Sequence, residues 1–581
     1  MDHLPSSFRM LISPTVLLVT GLLVVGIALL YQWLLPKPIA GIPHSKDATK
    51  SIFGDIPSML KHLKTHTEVQ YWFLSHNTEL NSPIVQLFIN LFSRPIVVIT
   101  DVREAQDILM RRTKEFDKPD IISNLFLGMA PDFHARIPTN DEFRYQRKTV
   151  QDLVTPAFLN NVAAPQLHIS FMDLINLWSE KARLVEGRPF TIKQDIYETA
   201  LEAAWAAIFG IEGTATVTRN QTALLSSLET LPLSTSIDEA AQLPRAAAPP
   251  AFRAIIELAD SIENIVKSPF PRATALWQRY SPAGRRNLAV KKRELANEIA
   301  KAEARLKDSE GREEKITNAV DHFLLKEKAL SAKAGHAPKY DSPVMRDNLL
   351  GLLIAAHDTT STTLLWTLKI LTRHQDIQSK LRSEFRAVFA AAHAEGRVPT
   401  ANEIVTCQSA YLDAFVEEVN RWSCTASVSS RTALKDAVIL GHVIPKGTTL
   451  YLMGSGHSVV RPAFDIPDNL RSEQYHKAGG GKVGTWDPNG IELFRPERWL
   501  VHDKQTNTEV YDAFAGPHLA FGGGLRGCFG KKLAYMELKL AIILMVWNFE
   551  FLDLPDAYSS FQAVDGLTSS PLQCYIKVAK L

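Results

Sequence analysis

A long uncharged segment near the N-terminus is the feature that most constrains this chain. From Met10 to Pro36 no residue carries a charge. An α-helix that begins after Pro14 and covers Thr15 to Leu35 would be about 31 Å long, the thickness of one hydrocarbon core. Tyr31 and Trp33 lie where aromatic residues meet a lipid–water interface. The segment therefore predicts a membrane anchor over residues 15–35, preceded by a short luminal terminus of residues 1–14.

A cleaved signal peptide is the alternative interpretation of this segment. It is disfavoured because the apolar run is too long and no small-x-small cleavage site follows it. Arg9 is the one Lys or Arg residue before the segment, whereas several follow it. This asymmetry predicts that the rest of the chain faces the cytosol. The basic residues after the segment are Lys37, Lys46, Lys50, Lys61 and Lys64.

Composition narrows the class of the remaining protein. Hydrophobic residues make up 46% of the 581 residues and charged residues 22%, close to the average of globular proteins. This excludes a disordered, collagen-like or multi-span membrane chain. The formal net charge of +2 gives no reason to expect nucleic acid as a partner. The four cysteines do not form a disulfide scaffold and indicate a reducing compartment.

The order of the predicted elements indicates a mainly α protein with a small β component (α+β). Residues 36–50 contain Pro36, Pro38 and Pro43 and predict a stiff connector, and residues 51–581 predict one domain. The main predictions are a hairpin over Ile84–Ile89 and Pro95–Thr100, helices over Asp141–Leu153, Leu167–Lys181, Asp195–Phe209 and Arg285–Lys315, a loop over Leu243–Pro250, and a strand–turn–strand over Val438–Leu452 that turns at Ile444–Gly447.

The segment Phe521–Gly530 is the richest in chemical signals. Its glycines let the backbone turn tightly and approach a ligand closely, and they leave N–H groups free to point at the sulfur of Cys528. An apolar helix follows, whose positive dipole end also favours a thiolate. Arg526 supplies a cation suited to a carboxylate of the same ligand. We therefore expect Cys528 to be a metal ligand, although a structural turn with a buried cysteine is open on this loop alone.

Two nucleotide-binding motifs are disfavoured at the same loop. Gly522, Gly524 and Gly527 match the spacing of a dinucleotide fingerprint, but that fingerprint needs a βαβ unit and no such alternation is evident. A phosphate loop would have Ser or Thr after Gly530-Lys531, and Lys532 stands there.

A second signal lies in a long helix that the sequence predicts from Ser342-Pro343 to about Thr372. Ser342 is a capping residue and proline suits the first helical position. In its middle, Asp358 and Thr359 begin a polar stretch. An adjacent acid and alcohol can relay protons into an apolar pocket, and a buried polar cluster that satisfies itself is the alternative. Consecutive hydroxyl residues compete for backbone carbonyls, so a local widening or bend is expected.

The complete pattern F-x-x-G-x-R-x-C-x-G, from Phe521 to Gly530, resembles the haem-binding loop of the cytochrome P-450 (haem-thiolate monooxygenase) family. Further motifs in the family's order extend the resemblance from about Gly41 to the C-terminus. It implies the cytochrome P-450 fold with one haem domain behind the transmembrane helix. It also implies haem b bound in the loop that includes Phe521 and Gly530, with Cys528 as the axial ligand of the iron. The sequence as a whole resembles microsomal members of the family, fungal ones included, that modify secondary metabolites.

The resemblance also assigns residues of the long helix. Ala355–Thr360 is similar to the family's oxygen-activation motif, with Ala356 where glycine is usual. Thr359 would hold dioxygen and its protons, and Asp358 would be the relay acid. The presence of both residues disfavours the family's isomerases and dehydratases, several of which lack the pair.

Arginines and acids elsewhere resemble other family motifs. Glu418 and Arg421 resemble E-x-x-R, and Phe494–Trp499 resembles the P-E-R-F segment, so that Arg498 would close a structural network beneath the cysteine loop. Phe143-x-x-x-Arg147 resembles W-x-x-x-R. The resemblance implies haem-propionate contacts for Arg147, Arg431 and Arg526. It also implies that Ser427, Val428 and part of Ile121–Pro138 line the substrate pocket.

The partners implied are a lipophilic small molecule, dioxygen, the lipid bilayer and a flavoprotein reductase that supplies electrons from NADPH at the endoplasmic reticulum. Lys531, Lys532, Arg147 and Lys148 would form its docking patch, or are ordinary solvated cations. A haem-thiolate isomerase or dehydratase without external electrons, and a non-enzymatic membrane haem-binding protein, are the alternatives. The sequon at Asn220 is predicted to stay unmodified in the cytosol.

Overall fold

The computed structural model describes residues 14–210, 216–268, 270–308, 316–480 and 483–581, without the side chains of residues 14, 120 and 121. Residues 1–13 of the predicted luminal terminus, and Lys315 at the end of a predicted helix, lie outside these ranges. Within them the helices are α1 (Pro14–Leu34), α2 (Ile56–Leu63), α3 (Val69–Glu79), α4 (Val102–Met110), α5 (Asp120–Leu127), α6 (Asp141–Val150), α7 (Pro156–Phe158), α8 (Ala164–Val185), α9 (Lys193–Phe209), α10 (Val217–Ser226), α11 (Pro250–Val266), α12 (Pro271–Tyr280), α13 (Pro282–Asp308), α14 (Ala319–Ala334), α15 (Pro343–Arg373), α16 (Gln375–Val388), α17 (Ala390–Ala394), α18 (Ala401–Thr406), α19 (Ala410–Ser423), α20 (Glu473–Lys477) and α21 (Lys531–Asn548).

Helix α1 coincides with the predicted anchor but begins at Pro14 and not after it. Proline suits the first helical position because no helical partner is needed for an N–H there. Within the described ranges, α1 is the one helix long and apolar enough to cross a membrane by length and composition, and none of it is buried against protein. Trp33, near its end, is 68% exposed.

The strands are short and form one larger sheet and several pairs. They are β1 (Ile84–Leu87), β2 (Ile96–Ile99), β3 (Phe116–Asp117), β4 (Phe190–Thr191), β5 (Val428–Ala433), β6 (Ala437–Ile439), β7 (His442–Ile444), β8 (Thr449–Met453), β9 (Leu500–Asp503), β10 (Thr508–Tyr511), β11 (Phe549–Phe551), β12 (Ala563–Asp565), β13 (Ser569–Pro571), β14 (Tyr575–Ile576) and β15 (Val578–Lys580). The five-stranded sheet has the order β1-β2-β8-β5-β3, in which β2 and β8 are parallel.

The predicted N-terminal hairpin is confirmed, since β1 and β2 pair antiparallel with Ile84 opposite Ile99. The predicted strand–turn–strand is also confirmed, since β7 ends at Ile444 and β8 begins at Thr449 after a turn at Lys446 and Gly447. These two strands do not pair with each other, because β7 pairs with β6 in a hairpin that reverses direction at Leu440 and Gly441. Strand β8 follows this hairpin in sequence and lies between β2 and β5. Its alternate residues, such as Leu450, are buried in that sheet.

The largest apolar cluster lies where α8, α15, α19 and α21 meet. Leu174, Leu368, Phe415 and Leu540, one from each helix, are all fully buried in it. Ser342 caps α15 by accepting a hydrogen bond from the Met345 N–H at 3.1 Å. With 31 residues, α15 is about 46 Å long and crosses the domain. This core fixes the middle of α15 and the start of α21, between which the candidate site lies.

Candidate functional site

The loop before α21 packs its glycines against the end of α4. Gly522 and Gly524 have φ angles of +61° and +65°, which glycine adopts without steric cost. A Cβ atom at residue 524 would collide with the carbonyl oxygen of Leu109. Both backbone conformation and packing therefore require glycine at 524, and together they fix the position from which Cys528 extends.

Cys528 ends this loop with a restrained backbone and an accessible side chain. Its N–H donates to the carbonyl oxygen of Phe521 at 2.9 Å. The residue is exposed, yet enough protein surrounds the sulfur for burial to raise the pKa of the thiol. The N–H of Gly530 and the charges of Arg147 and Lys531 lower that pKa without offsetting burial. The loop N–H therefore acts in the expected direction, although burial opposes it, and the charge of a bound metal would favour the thiolate further.

Three arginines from three elements lie close together near this cysteine: Arg147 on α6, Arg431 on β5 and Arg526 on the loop. Burial lowers the pKa values of Arg431 and Arg526 to about 10. The charges of the other two arginines lower the pKa of Arg526 further, whereas Asp117 raises it. The Oδ1 of Asp117 lies 3.7 Å from the Nε of Arg526. One carboxylate among three cations leaves an excess of positive charge, which favours an anionic ligand.

Aromatic rings and acceptors hold two of these guanidinium groups. The guanidinium carbon of Arg526 lies 3.6 Å from the centre of the Phe143 ring, and that of Arg147 lies 5.5 Å from the centre of Phe529. Arg526 also donates to the Thr139 hydroxyl at 2.8 Å. Phe143, which stands where the resembling motif has tryptophan, therefore serves as a stacking surface for Arg526.

The middle of α15 turns small residues toward open space beside the cysteine loop. Ala355 is exposed and Thr359 half-buried, although Ile354 is buried. The Thr359 hydroxyl donates to the Ala355 carbonyl oxygen at 2.9 Å. Phe529, next to Cys528, packs against the cluster that contains Ile354. The helix is continuous through this region, so the expected local widening is not seen.

Asp358 lies on the same helix, and protein atoms largely surround its carboxyl group. Burial raises the pKa of its carboxyl to about 6, and the Thr568 hydroxyl opposes that rise. Its Oδ2 is buried and has no hydrogen-bond partner among the described residues. Burial also lowers the pKa of neighbouring His357 to about 4. At neutral pH the imidazole is therefore uncharged, whereas Asp358 is close to the point where it exchanges a proton.

Glu418 and Arg421 form a fully buried ion pair on α19. The Nε of Arg498 donates to Glu418 Oε1 at 3.0 Å, and the indole N–H of Trp499 donates to Oε2 at 2.9 Å. Arg421 also donates to the carbonyl oxygens of Ile491 and Leu493 at 2.9 and 3.1 Å. The structure thus brings the three predicted members together, and Trp499 adds a hydrogen bond that phenylalanine would lack.

Three residues beside the site carried no role in the sequence predictions. Tyr197 on α9 and Thr568, between β12 and β13, hydrogen-bond to the hydroxyl of Thr362 on α15. Glu537 on α21 is buried, its Oε1 has no partner among the described residues, and burial raises its pKa to about 8. A lone acid in the apolar run after Cys528 was a visible signal for Glu537, whereas nothing local marks Tyr197 or Thr568.

Comparison with known proteins matches this chain to one family. A family model described as Cytochrome P-450 matches residues 54–482 and 491–576. The chain belongs to the cytochrome P-450 family. It is 36% identical over 582 residues to cytochrome P-450 monooxygenase TRI13 of Fusarium sporotrichioides, covering 96% of this chain and 98% of that protein.

Other fungal relatives are cytochrome P-450 monooxygenases as well. Cytochrome P-450 monooxygenase GME11363 of Pestalotiopsis microspora is 35% identical, covering 98% of each chain. The Hps1-dma1 cluster cytochrome P-450 monooxygenase cyp3.1 of Dothistroma septosporum is 39% identical over 300 residues, which is 49% of this chain and 95% of that protein. This P-450 is therefore a monooxygenase of the fungal type, its predicted mainly α fold is confirmed, and its family cofactor is thiolate-ligated haem iron.

The residues present fit that cofactor. Haem carries two carboxylates and an iron that a thiolate can bind, and this P-450 offers three clustered arginines and one accessible cysteine. Of the predicted docking cations, Lys148, Lys531 and Lys532 are exposed and Arg147 is half-buried.

The predicted substrate-lining segments border α15 and the larger sheet. Phe133, in the range 121–138, packs so closely on α15 that a Cβ atom at Gly351 would overlap its ring. Val428 begins strand β5 and is half-buried, as is Ser427.

Proposed function

We propose that this P-450 is anchored in the membrane of the endoplasmic reticulum and inserts one oxygen atom of dioxygen into a lipophilic small molecule. The observation that supports it best is the accessible Cys528 beside three buried or half-buried arginines and the open middle of α15. In this proposal Cys528 is the axial ligand of haem b. Arg147, Arg431 and Arg526 bind its propionates.

Loop residues on both sides of the cysteine would hold its orientation. The Phe521 carbonyl accepts the Cys528 N–H, and the Gly530 N–H lowers the pKa of the thiol. Glu418, Arg421 and Arg498 would have a structural role, because Trp486 stacks over the two arginines and donates to the Pro517 carbonyl at 2.9 Å, just before the loop.

The haem iron, when bound, supplies dioxygen activation and oxygen transfer. The protein's part is to deliver protons to a site that is otherwise apolar. Asp358, whose pKa is raised to about 6, would hold and release a proton near neutral pH. Thr359 would present its hydroxyl on the open face of α15, one turn from the exposed Ala355.

We infer the membrane and the electron-donating partner from residues on the surface of the protein. Residues 15–35 would span the bilayer, residues 36–50 would connect, and residues 51–581 would form the cytosolic haem domain. The exposed Lys148, Lys531 and Lys532 suit docking of an acidic flavoprotein reductase that takes electrons from NADPH. The similarity to a relative named for a gene cluster supports a role in secondary-metabolite biosynthesis.

The test of the site is spectroscopic. Full-length holoprotein is reduced and exposed to carbon monoxide, and a thiolate ligand moves the main haem band to longer wavelength. The Cys528→Ser variant should lose this shift, whereas Cys407→Ser, half-buried elsewhere, should keep it. An unchanged band in Cys528→Ser would overturn the assignment of the ligand.

The test of the reaction uses the same protein with a reductase, NADPH and a panel of lipophilic metabolites that move the ferric haem band. Product formation should require NADPH and should incorporate labelled oxygen from dioxygen. Conversion without NADPH would favour an isomerase or dehydratase. For orientation, Asn220 should remain without a glycan in cells, and a glycan there would place the domain in the lumen.

A further inference from the structure

Three hydroxyl groups from three elements form a continuous hydrogen-bonded chain beside Asp358. The Oγ1 of Thr362 on α15 lies 2.9 Å from the Tyr197 hydroxyl on α9 and 3.0 Å from the Oγ1 of Thr568. Thr362 is fully buried and Thr568 is 7% exposed. Such hydroxyls each donate and accept one hydrogen bond, so they can transmit a proton along the chain.

The inner end of the chain adjoins Asp358. Asp358 and Thr362 are one helical turn apart, so their side chains share a face of α15. Asp358 Oδ2 is buried without a partner among the described residues, and the Thr568 hydroxyl is close enough to act on the carboxyl as a donor. Thr568 therefore lies between Thr362 and an acid that has an open position for one more hydrogen bond.

The outer end of the chain leads toward solvent. Tyr197 is half-buried, and so is Lys193, one turn earlier on α9. Asp260 on α11 is exposed. Asp260 and Glu263 raise the pKa of Asp358 and Lys193 lowers it, so these charged groups surround the same carboxyl. Together with the half-buried Tyr197, the exposed Asp260 and the half-buried Lys193 mark the side from which solvent approaches the chain.

An uncharged imidazole lies beside the outer hydroxyl of the chain. The ring of His357 lies 5.4 Å from that of Tyr197 in an edge-on arrangement, and burial leaves it uncharged at neutral pH. Burial also raises the pKa of Tyr197 above its usual value. The phenol therefore stays protonated and passes a proton only when it receives another.

We propose that Tyr197, Thr362 and Thr568 form a proton path from surface water near Tyr197 to the carboxylate of Asp358. This rests on the role of Asp358 proposed above. In one transfer each hydroxyl gains a proton from its outer neighbour and gives one to its inner neighbour, so that every O–H bond broken is replaced. The net change is one proton moved from water to Asp358, and no electrons move. The three hydroxyls are positioning residues that act through Asp358.

A purely structural role would be to hold the turn between β12 and β13 onto α15. The two roles differ in what a serine restores and in what happens to the Asp358 carboxyl. Thr568→Val keeps the shape of the side chain and removes the hydroxyl, and Thr568→Ser keeps the hydroxyl. Tyr197→Phe removes the outer hydroxyl and leaves the residues of the turn unchanged.

The experiment uses the full-length holoenzyme with its reductase. The infrared carbonyl band of Asp358 is identified as the band absent from Asp358→Asn. The fraction of NADPH electrons released as hydrogen peroxide is measured in H2O and D2O. Thr218→Val is the matched control, because its hydroxyl meets that of Thr199 on α9 at 3.3 Å, outside the path.

We expect Thr568→Val to shift the Asp358 band. We also expect Thr568→Val and Tyr197→Phe to raise the ratio of peroxide to product about tenfold, with a larger D2O effect. Thr568→Ser should restore both values, and Thr218→Val should leave both unchanged.

The result that overturns the path is a raised ratio in Asp358→Asn with normal values in folded Tyr197→Phe and Thr568→Val. If Asp358→Asn itself shows a normal ratio, the role of Asp358 is wrong and the path is excluded with it. If Thr568→Val fails to bind haem, Tyr197→Phe decides.

Discussion

Arg421 donates two parallel hydrogen bonds of 2.7 Å to the two carboxylate oxygens of Glu418, and both side chains are fully buried. A charge in such a place is tolerated only while its partner is present. The same carboxylate accepts hydrogen bonds from Arg498 and Trp499. Glu418 therefore joins α19 to the segment after Arg495.

Removing the charge of Glu418 should therefore destabilise the folded protein. Glu418→Gln leaves Arg421 as a buried cation without its carboxylate, and we expect a loss of about 3–5 kcal/mol in the free energy of unfolding. Urea unfolding of the holoprotein and its haem content are the measurements. Glu497→Gln is the control, because its pair with Lys380 is half exposed and is worth at most about 1 kcal/mol. Equal effects of the two variants would contradict the prediction.

Trp499→Phe isolates one donor of the same network. The ring remains, but Glu418 Oε2 loses the hydrogen bond from the indole N–H. Because Arg421 still donates to this oxygen, only one hydrogen bond to a charged group is lost, which predicts a loss of about 1.5–3 kcal/mol, although phenylalanine is the usual residue of the resembling motif. Thermal unfolding of the holoprotein tests it, and an unchanged midpoint would show that Arg421 and Arg498 suffice.

Gly524→Ala should reduce haem binding. The substitution combines a left-handed backbone with a collision at the Leu109 carbonyl, so the cysteine loop has to move. Gly335→Ala is the matched control, since its φ is +73° and nothing lies within 4 Å of the added carbon. The control should lose only about 1–2 kcal/mol of backbone energy and keep its haem. Full haem content in Gly524→Ala would show that the loop tolerates the shift.

Glu537 predicts a particular dependence of stability on pH. Its pKa is raised from 4.5 to about 8 in the folded protein, so the folded state keeps a proton that the unfolded state releases. This contribution is complete below pH 4.5 and is lost as pH rises toward 8, by about 1.4 kcal/mol per pH unit. Unfolding of Glu537→Gln over this window should show a shallower decline than the native chain.

The control for the Glu537 measurement is Glu403, whose pKa is shifted in the opposite direction. Glu403 has its pKa lowered to about 2 by hydrogen bonds from Arg397, so its contribution is lost only as pH falls. Glu403→Gln should therefore leave the decline between pH 5 and 8 unchanged. Parallel curves for Glu537→Gln and the native chain would mean that Glu537 is hydrated in solution.

Sequence predicted those parts of the site that depend on local spacing. Glu418 and Arg421 are one helical turn apart, so their contact follows from the helix alone. Cys528 and its glycines are likewise contiguous, and the fold class followed from the same motifs. The opposing effect of burial at Cys528 could not be predicted, because burial depends on surrounding elements that no local pattern describes.

Contacts between distant elements could not be predicted in this way. Thr362, Tyr197 and Thr568 meet only because α9, α15 and the turn after β12 pack together, and hydroxyl residues carry no signal of their partner. The pairing of the two strands on either side of residue 445 is a further example. A strand's partner depends on the whole sheet, and β8 lies beside β2 and β5 and not beside β7.

That position of β8 has a consequence for synthesis. Val97 pairs with Leu450, so the hairpin of β1 and β2 lacks its neighbour until most of the chain has left the ribosome. Pairings so distant in sequence slow folding and leave sheet edges open meanwhile. Helix α1 forms without such a distant partner. In the anchored protein proposed above, insertion into the bilayer would come first and closure of the sheet last, so a ribosome that stalls before residue 450 would leave a tethered chain with an unprotected strand.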